Sequence, residues 1–166
     1  TMALASRYVR WRGVPIVVVI FGCCLLYTGS AQVETLGGLG SRTELIPPSL
    51  ASWLQQAIPP GSQVFTPDWG HTGTYILALP GRKFIVALDP TLFRVKDPEL
   101  YRLWYEIPRN PRPGVAGTIR QRFGARYVIS FSDARFDRFY DLLESEPGVR
   151  AILVSDRLMV YDLGGT

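Results

Sequence analysis

Cysteine and histidine are nearly missing from this chain, with two cysteines and one histidine in 166 residues. Cys23 and Cys24 are adjacent, and the sequence after them contains no cysteine. A disulfide framework and a cysteine-based zinc site are thereby excluded from the larger, C-terminal part. With His71 alone, a histidine-rich metal site is excluded too. No Gly-x-Gly-x-x-Gly or Walker-type loop follows any expected strand, so the usual phosphate cradles are absent. No Gly-x-Ser-x-Gly elbow offers a nucleophilic serine. Internal repeats and low-complexity tracts are also lacking. The 18 Lys and Arg exceed the 14 acids, but Arg7, Arg10 and Arg12 are clustered near the N-terminus. The remaining basic residues nearly balance the acids and are scattered among them. Nucleic acid needs a concentrated basic face, and is not an expected partner.

What the sequence does have is a long charge-free run, Gly13 to Val33, centred on Val14-Pro-Ile-Val-Val-Val-Ile-Phe-Gly-Cys-Cys-Leu-Leu-Tyr27. A helix of about 20 apolar residues spans a bilayer core. Pro15 falls in the first turn, where its missing N–H costs nothing. Trp11 and Tyr27 suit the two interfaces, and the three arginines mark the N-terminal side as cytoplasmic. The run is therefore expected to be a single membrane anchor in a bacterial inner membrane. The rest of the chain would be periplasmic or otherwise extracytoplasmic. Three other readings compete: a cleaved signal peptide, a lipid attachment, and a buried core helix, for which the sequence downstream offers no partner helix of matching length. Gly29-Ser-Ala31 resembles a signal-peptide cleavage site, and Cys23 would be the position for a lipid attachment, although Phe21 fits that poorly. Small residues at Gly22, Cys23, Gly29 and Ser30 would let a spanning helix approach partner helices closely.

The expected organisation is a flank and anchor over 1–33, a linker over 34–48, and an α/β domain over 49–166. Gly37-Gly-Leu-Gly-Ser41 makes the linker flexible, and Pro47-Pro48 stiffens its end. Ser49 is placed to cap a helix over Leu50–Ile58. Gln63–Thr66 reads as a short buried strand, and Asp68–Gly73 as a polar turn into the apolar stretch Tyr75–Leu79. Lys83–Leu88 is the clearest early strand, its continuous apolar run suggesting burial on both faces. Asp89-Pro90 reads as a break. Asp97-Pro98 opens a helix over Glu99–Glu106, and Val115–Phe123 forms another, stopped by Gly124. Arg126–Phe131 is a strand. Asp133 caps a helix over Ala134–Glu144 with Phe136, Phe139, Tyr140 and Leu143 at helical spacing. Ala151–Val154 and Leu158–Tyr161 form a closing hairpin. Strands alternating with helices predict a mostly parallel sheet covered on both faces, with the hairpin as an antiparallel edge.

The series Val64-Phe-Thr-Pro-Asp-Trp69, Ala87-Leu-Asp-Pro90, Lys96-Asp-Pro-Glu-Leu-Tyr101, Phe123-Gly-Ala-Arg-Tyr-Val128 and Met159-Val-Tyr161 resembles the C-terminal extracytoplasmic domain of bacterial GT-C-type membrane glycosyltransferases, the protein-mannosyltransferase-like group. The likeness spans roughly residues 50–163. In that family the domain follows a last transmembrane helix, and the catalytic acids lie in a separate multi-span domain that has no counterpart in this sequence. The resemblance thus implies a fold and a side of the membrane, and carries over no catalytic residue.

Asp68, His71 and Asp89 form the best polar constellation. Both aspartates sit at expected strand C-termini, the edge where open α/β sheets gather ligands. The plainer reading makes Asp68 a helix cap, Asp89 a turn residue and His71 a loop residue. Tyr101, Trp104 and Tyr105 at helical spacing are more often core than surface, while Trp53, Trp69 and Trp104 are the aromatics best suited to a protein contact. The overall expectation is a non-catalytic accessory subunit without a cofactor. Its head would dock on integral membrane proteins of a larger complex, a respiratory or photosynthetic one being a candidate host. The alternatives are the terminal part of a GT-C glycosyltransferase acting with a separate catalytic domain, and a small-ligand binder or enzyme using the Asp68/His71/Asp89 edge.

Overall fold

The computed structural model describes residues 46–87 and 89–164. Five strands form one sheet: β1 (Gln63–Phe65), β2 (Lys83–Phe84), β3 (Tyr127–Phe131), β4 (Arg150–Val154) and β5 (Leu158–Asp162), in the order β2-β1-β3-β5-β4. β1 pairs in parallel with β2 and with β3. β5 pairs antiparallel with β3 and with β4. The fold is α/β as expected, but the sheet is mixed, and its antiparallel ladders are the longer ones. The reason is where the hairpin goes. Its second strand, β5, inserts beside β3 over the full register Tyr127↔Asp162 to Phe131↔Leu158, which leaves β4 at the edge.

Alternation along the strands supplies two cores. Phe65, Val128 and Tyr161 face one side of the sheet, with Trp104, Ile119, Phe123, Phe139 and Leu143 packed over them. Val64, Tyr127, Ile129 and Val160 face the other side, under Leu54, Ile58, Tyr75 and Leu79. Two helices, α1 (Pro48–Ala57) and α2 (Thr72–Ala78), supply the second cover. The first is supplied mainly by α4 (Pro98–Arg109), α5 (Val115–Phe123) and α6 (Asp137–Ser145), the last preceded by a 3-10 turn over Ala134–Phe136. Phe65 sits edge-on to Phe123 at 5.4 Å between ring centroids, a favoured aromatic geometry.

Lys83–Leu88 differs most from its reading. Among the described residues of this run only Lys83 and Phe84 are strand, at the sheet's outer edge. β1, its sole neighbour, is three residues long, and the last ladder bond runs from Ile85 N–H to Val64 O. Beyond it Ile85–Ala87 leave the sheet, and Leu88 lies outside the described residues. Val86 is still buried, but in the core beneath α4. A run of apolar residues fixes burial and not strand length.

Asp89-Pro90 opens a helix rather than ending a strand. Asp89 is the N-cap of α3 (Pro90–Lys96), its Oδ1 accepting from Thr91 N at 2.8 Å. Asp97-Pro98 repeats the arrangement for α4, with Asp97 Oδ1 accepting from Leu100 N at 2.9 Å. Both follow the N-cap and Pro-at-N1 rule. Ser49 does not cap α1. The helix starts at Pro48, with Pro47 at the cap position and no side-chain cap bond. Val115–Phe123 matches its expected bounds, and Gly124 adopts the left-handed φ of +64° that a glycine C-cap tolerates.

The α5 N-terminus is capped from a distance. Gly114 has no side chain to offer, and the Glu146 carboxylate accepts from Val115 N at 2.7 Å and Ala116 N at 3.0 Å. Glu146 thereby joins the end of α6 to the start of α5. Glu146→Ala should cost about 0.5–2 kcal/mol, the range for a lost cap, with Glu146→Gln costing less. Urea unfolding of both variants checks the order.

Candidate functional site

The chain leaves β1 toward β2 on one side and leaves β3 toward the hairpin on the other. The edge formed by the C-terminal ends of these two neighbouring parallel strands is the topological switch point, the place where open α/β sheets bind ligands. The segments entering it are Thr66–His71 after β1 and Ser132–Arg135 after β3.

Asp68 begins a tight polar turn, its Oδ1 accepting from Gly70 N at 2.9 Å. Asp133 makes the equivalent turn after β3, its Oδ1 accepting from Arg135 N at 2.9 Å. Arg135 ties the two segments together. Its Nε lies 2.8 Å from Asp133 Oδ2, and its Nη2 lies 3.1 Å from Asp68 Oδ2. The hydrogen bond from Arg135 holds the Asp133 carboxyl below the usual carboxylate range. The same bond, with the charge of Asp133, raises Arg135 further above an already high value. The His71 ring stands edge-on to Phe131, 5.0 Å between centroids. Beneath them the Tyr75 hydroxyl accepts from Phe131 N at 2.6 Å. On the opposite face of β3, Tyr140 donates to Ser130 Oγ at 2.9 Å, and burial pushes its phenol up to about 12.

Chemically this is a clamp. One guanidinium is shared by two carboxylates from separate loops, so each acid already has a cationic partner, and the trio keeps a net negative charge. Asp133 is held ionised, which disfavours a role as proton donor. Among the described residues, no group of three His, Cys, Asp or Glu is placed to hold a metal ion. The Thr66 and Thr72 hydroxyls, at the end of β1 and the start of α2, are fully buried and make no hydrogen bond.

Asp68 and His71 thus occupy the expected edge, but no hydrogen bond or ion pair joins Asp89 to either. Its carboxylate caps α3 and is lowered by its bonds to Thr91. Asp133 and Arg135 are the members that sequence reasoning missed. The sequence marks Asp133 only as a helix cap, a role it also fills at the 3-10 turn. The available signal was that Asp133, like Asp68, follows a buried strand. That β1 and β3 are neighbours is not written in the sequence.

The tryptophans divide. Trp53 and Trp69 are exposed, at 41% and 46%. Trp104 is enclosed, and its Nε1–H donates to Thr66 O at 2.8 Å, so it belongs to the core and to no surface. Gly22, Cys23, Gly29 and Ser30 lie outside the described residues, as does the whole expected span. Among the described residues no helix is long and apolar enough to cross a membrane. No family model, curated protein or solved structure matches the chain.

Proposed function

We propose that this chain is a membrane-anchored, non-catalytic accessory subunit whose extracytoplasmic α/β head docks onto a larger membrane protein complex. The observation that carries the proposal is the outer surface of the α1–α2 layer. Trp53 on α1, Trp69 in the loop before α2, and Ile76 and Leu77 on α2 are all exposed, Leu77 at 74%. The two helices bury their other sides on Val64 and Ile129. Exposed aromatics and large aliphatics on packed helices favour a protein partner. The clamp, in which Arg135 already engages both Asp68 and Asp133, supports a structural use of the switch point. The charge-free run Gly13–Val33 and the arginines before it support the anchor and its sidedness.

The test is purification of the full chain from native membranes in mild detergent, with mass spectrometry of its companions. A reproducible set of integral membrane proteins, lost in the Leu77→Asp and Trp53→Ala variants without loss of folding, is the expected result. A GT-C polypeptide as sole companion would move the assignment to a split glycosyltransferase. Companions unaffected by either substitution would refute the α1–α2 docking face.

A further inference from the structure

Among the described residues, α3 is the one helix that buries none of its own side chains. Its sequence, Pro-Thr-Leu-Phe-Arg-Val-Lys, is nonetheless strongly patterned. Leu92 and Val95 are 77% and 75% exposed. At 3.6 residues per turn they share one face of the helix. Phe93 points the other way, into Tyr101 and Trp104, at 5.9 and 6.4 Å between ring centroids. Arg94 and Lys96 flank the Leu92/Val95 stripe on its two sides, both exposed. The helix itself contains no acid, and the aspartates at its ends are turned to capping, Asp89 on Thr91 N and Asp97 on Leu100 N. The domain's own packing therefore accounts for Phe93 and leaves an apolar stripe between two cations.

That pattern matches a phospholipid surface. Aliphatic side chains enter the boundary between headgroups and acyl chains, and flanking Lys and Arg reach up to phosphates. On the anchored reading proposed above, the length of chain between the charge-free run and the head keeps such a surface within reach. The charge-free run ends at Val33, and α1 begins at Pro48. A flexible linker of that length has an r.m.s. span of about 20 Å.

We infer that α3 is an interfacial foot, with Leu92 and Val95 inserted at the bilayer surface and Arg94 and Lys96 on lipid phosphates. This inference rests on the anchored reading and deepens it. The foot would set the head's orientation and leave the α1–α2 face for a protein partner.

The test uses the full chain in nanodiscs of phosphatidylcholine and phosphatidylglycerol. An environment-sensitive fluorophore is attached at Leu92→Cys, Val95→Cys or, as a control on the exposed edge strand β4, Val154→Cys, each on a Cys23→Ser/Cys24→Ser background. The expected result is a blue shift at 92 and 95, quenched by spin-labelled lipid, with a water-like spectrum at 154. Arg94→Glu/Lys96→Glu should abolish the shift at 92. A water-like spectrum at 92 and 95, in a chain that stays in the disc, would overturn the foot and leave the anchor standing. A blue shift that lipid quenchers do not touch would mean that protein covers α3, and would also overturn it. A chain extracted from membranes by alkaline carbonate would refute the anchored reading itself, and the foot with it.

Discussion

Trp104→Ala should lower the unfolding free energy by about 3–5 kcal/mol, the usual cost of deleting a large buried aromatic. Trp104 is 1% exposed and is the largest of the fully buried side chains. Its ring packs against Tyr101 at 5.6 Å and Phe93 at 6.4 Å between centroids, so it joins α3 to α4. Its indole N–H reaches the carbonyl of Thr66, at the end of β1, across 38 positions of sequence. The single residue therefore fixes the helical layer to the switch-point edge of the sheet. Trp104→Phe separates the two contributions. It keeps most of the apolar volume and removes the donor to a buried carbonyl, which should cost about 1–3 kcal/mol. Urea unfolding of both variants, followed by circular dichroism, gives the values. A surface role for Trp104 would leave stability unchanged in both.

Asp162 should show the second-largest effect, and with it a dependence on pH. It is a buried carboxylate at the end of β5, an interior strand of the sheet. Arg126 binds it through Nε and Nη2, both at 2.9 Å, Arg150 approaches at 3.5 Å, and Gly164 N donates at 3.0 Å. The bond from Arg126 is the largest cause that lowers the Asp162 carboxyl below its ordinary value. Arg126 and Arg150 are more than half exposed, so solvent screens the charge term. Asp162→Asn, which replaces one acceptor with a donor facing a guanidinium, should cost about 1–3 kcal/mol. A depressed carboxyl contributes its stability above the unfolded-state value of about 3.9, and loses it as pH falls through the folded value. The stability gap between the unsubstituted chain and Asp162→Asn should therefore be constant at neutral pH and close only below about pH 4. A gap that persists unchanged at the acid end would show that shape, and not charge, sets the contribution.

Elements with strong local signals are legible without any knowledge of the packed chain. Val115–Phe123 ends where a glycine can take a left-handed φ, and no other chain segment has to be known for that. The hairpin strands and β3 were legible because alternation and short turns are local properties. The helical spacing of Phe136, Phe139, Tyr140 and Leu143 correctly marked a buried stripe. Asp89-Pro90 shows the limit of local reading. The same dipeptide type opens α4 at Asp97-Pro98, yet after an apolar run it reads equally well as a strand break.

Tertiary structure decided the rest, because strand pairing joins segments that are far apart in the chain. Lys83–Phe84 became a two-residue edge strand because its only neighbour is short. The sheet became mixed because β5 found a five-residue ladder on β3. The polar site changed membership for the same reason. Asp68 and His71 meet Asp133 and Arg135 only because β1 and β3 are neighbours, while Asp89 turns away to cap its own helix. Glu146 reaches α5 from the end of α6 only because Gly114 leaves two N–H groups open at the contact between those helices. In each case the residue type advertised a capacity, to pair, cap or pack, and the packed geometry chose the partner.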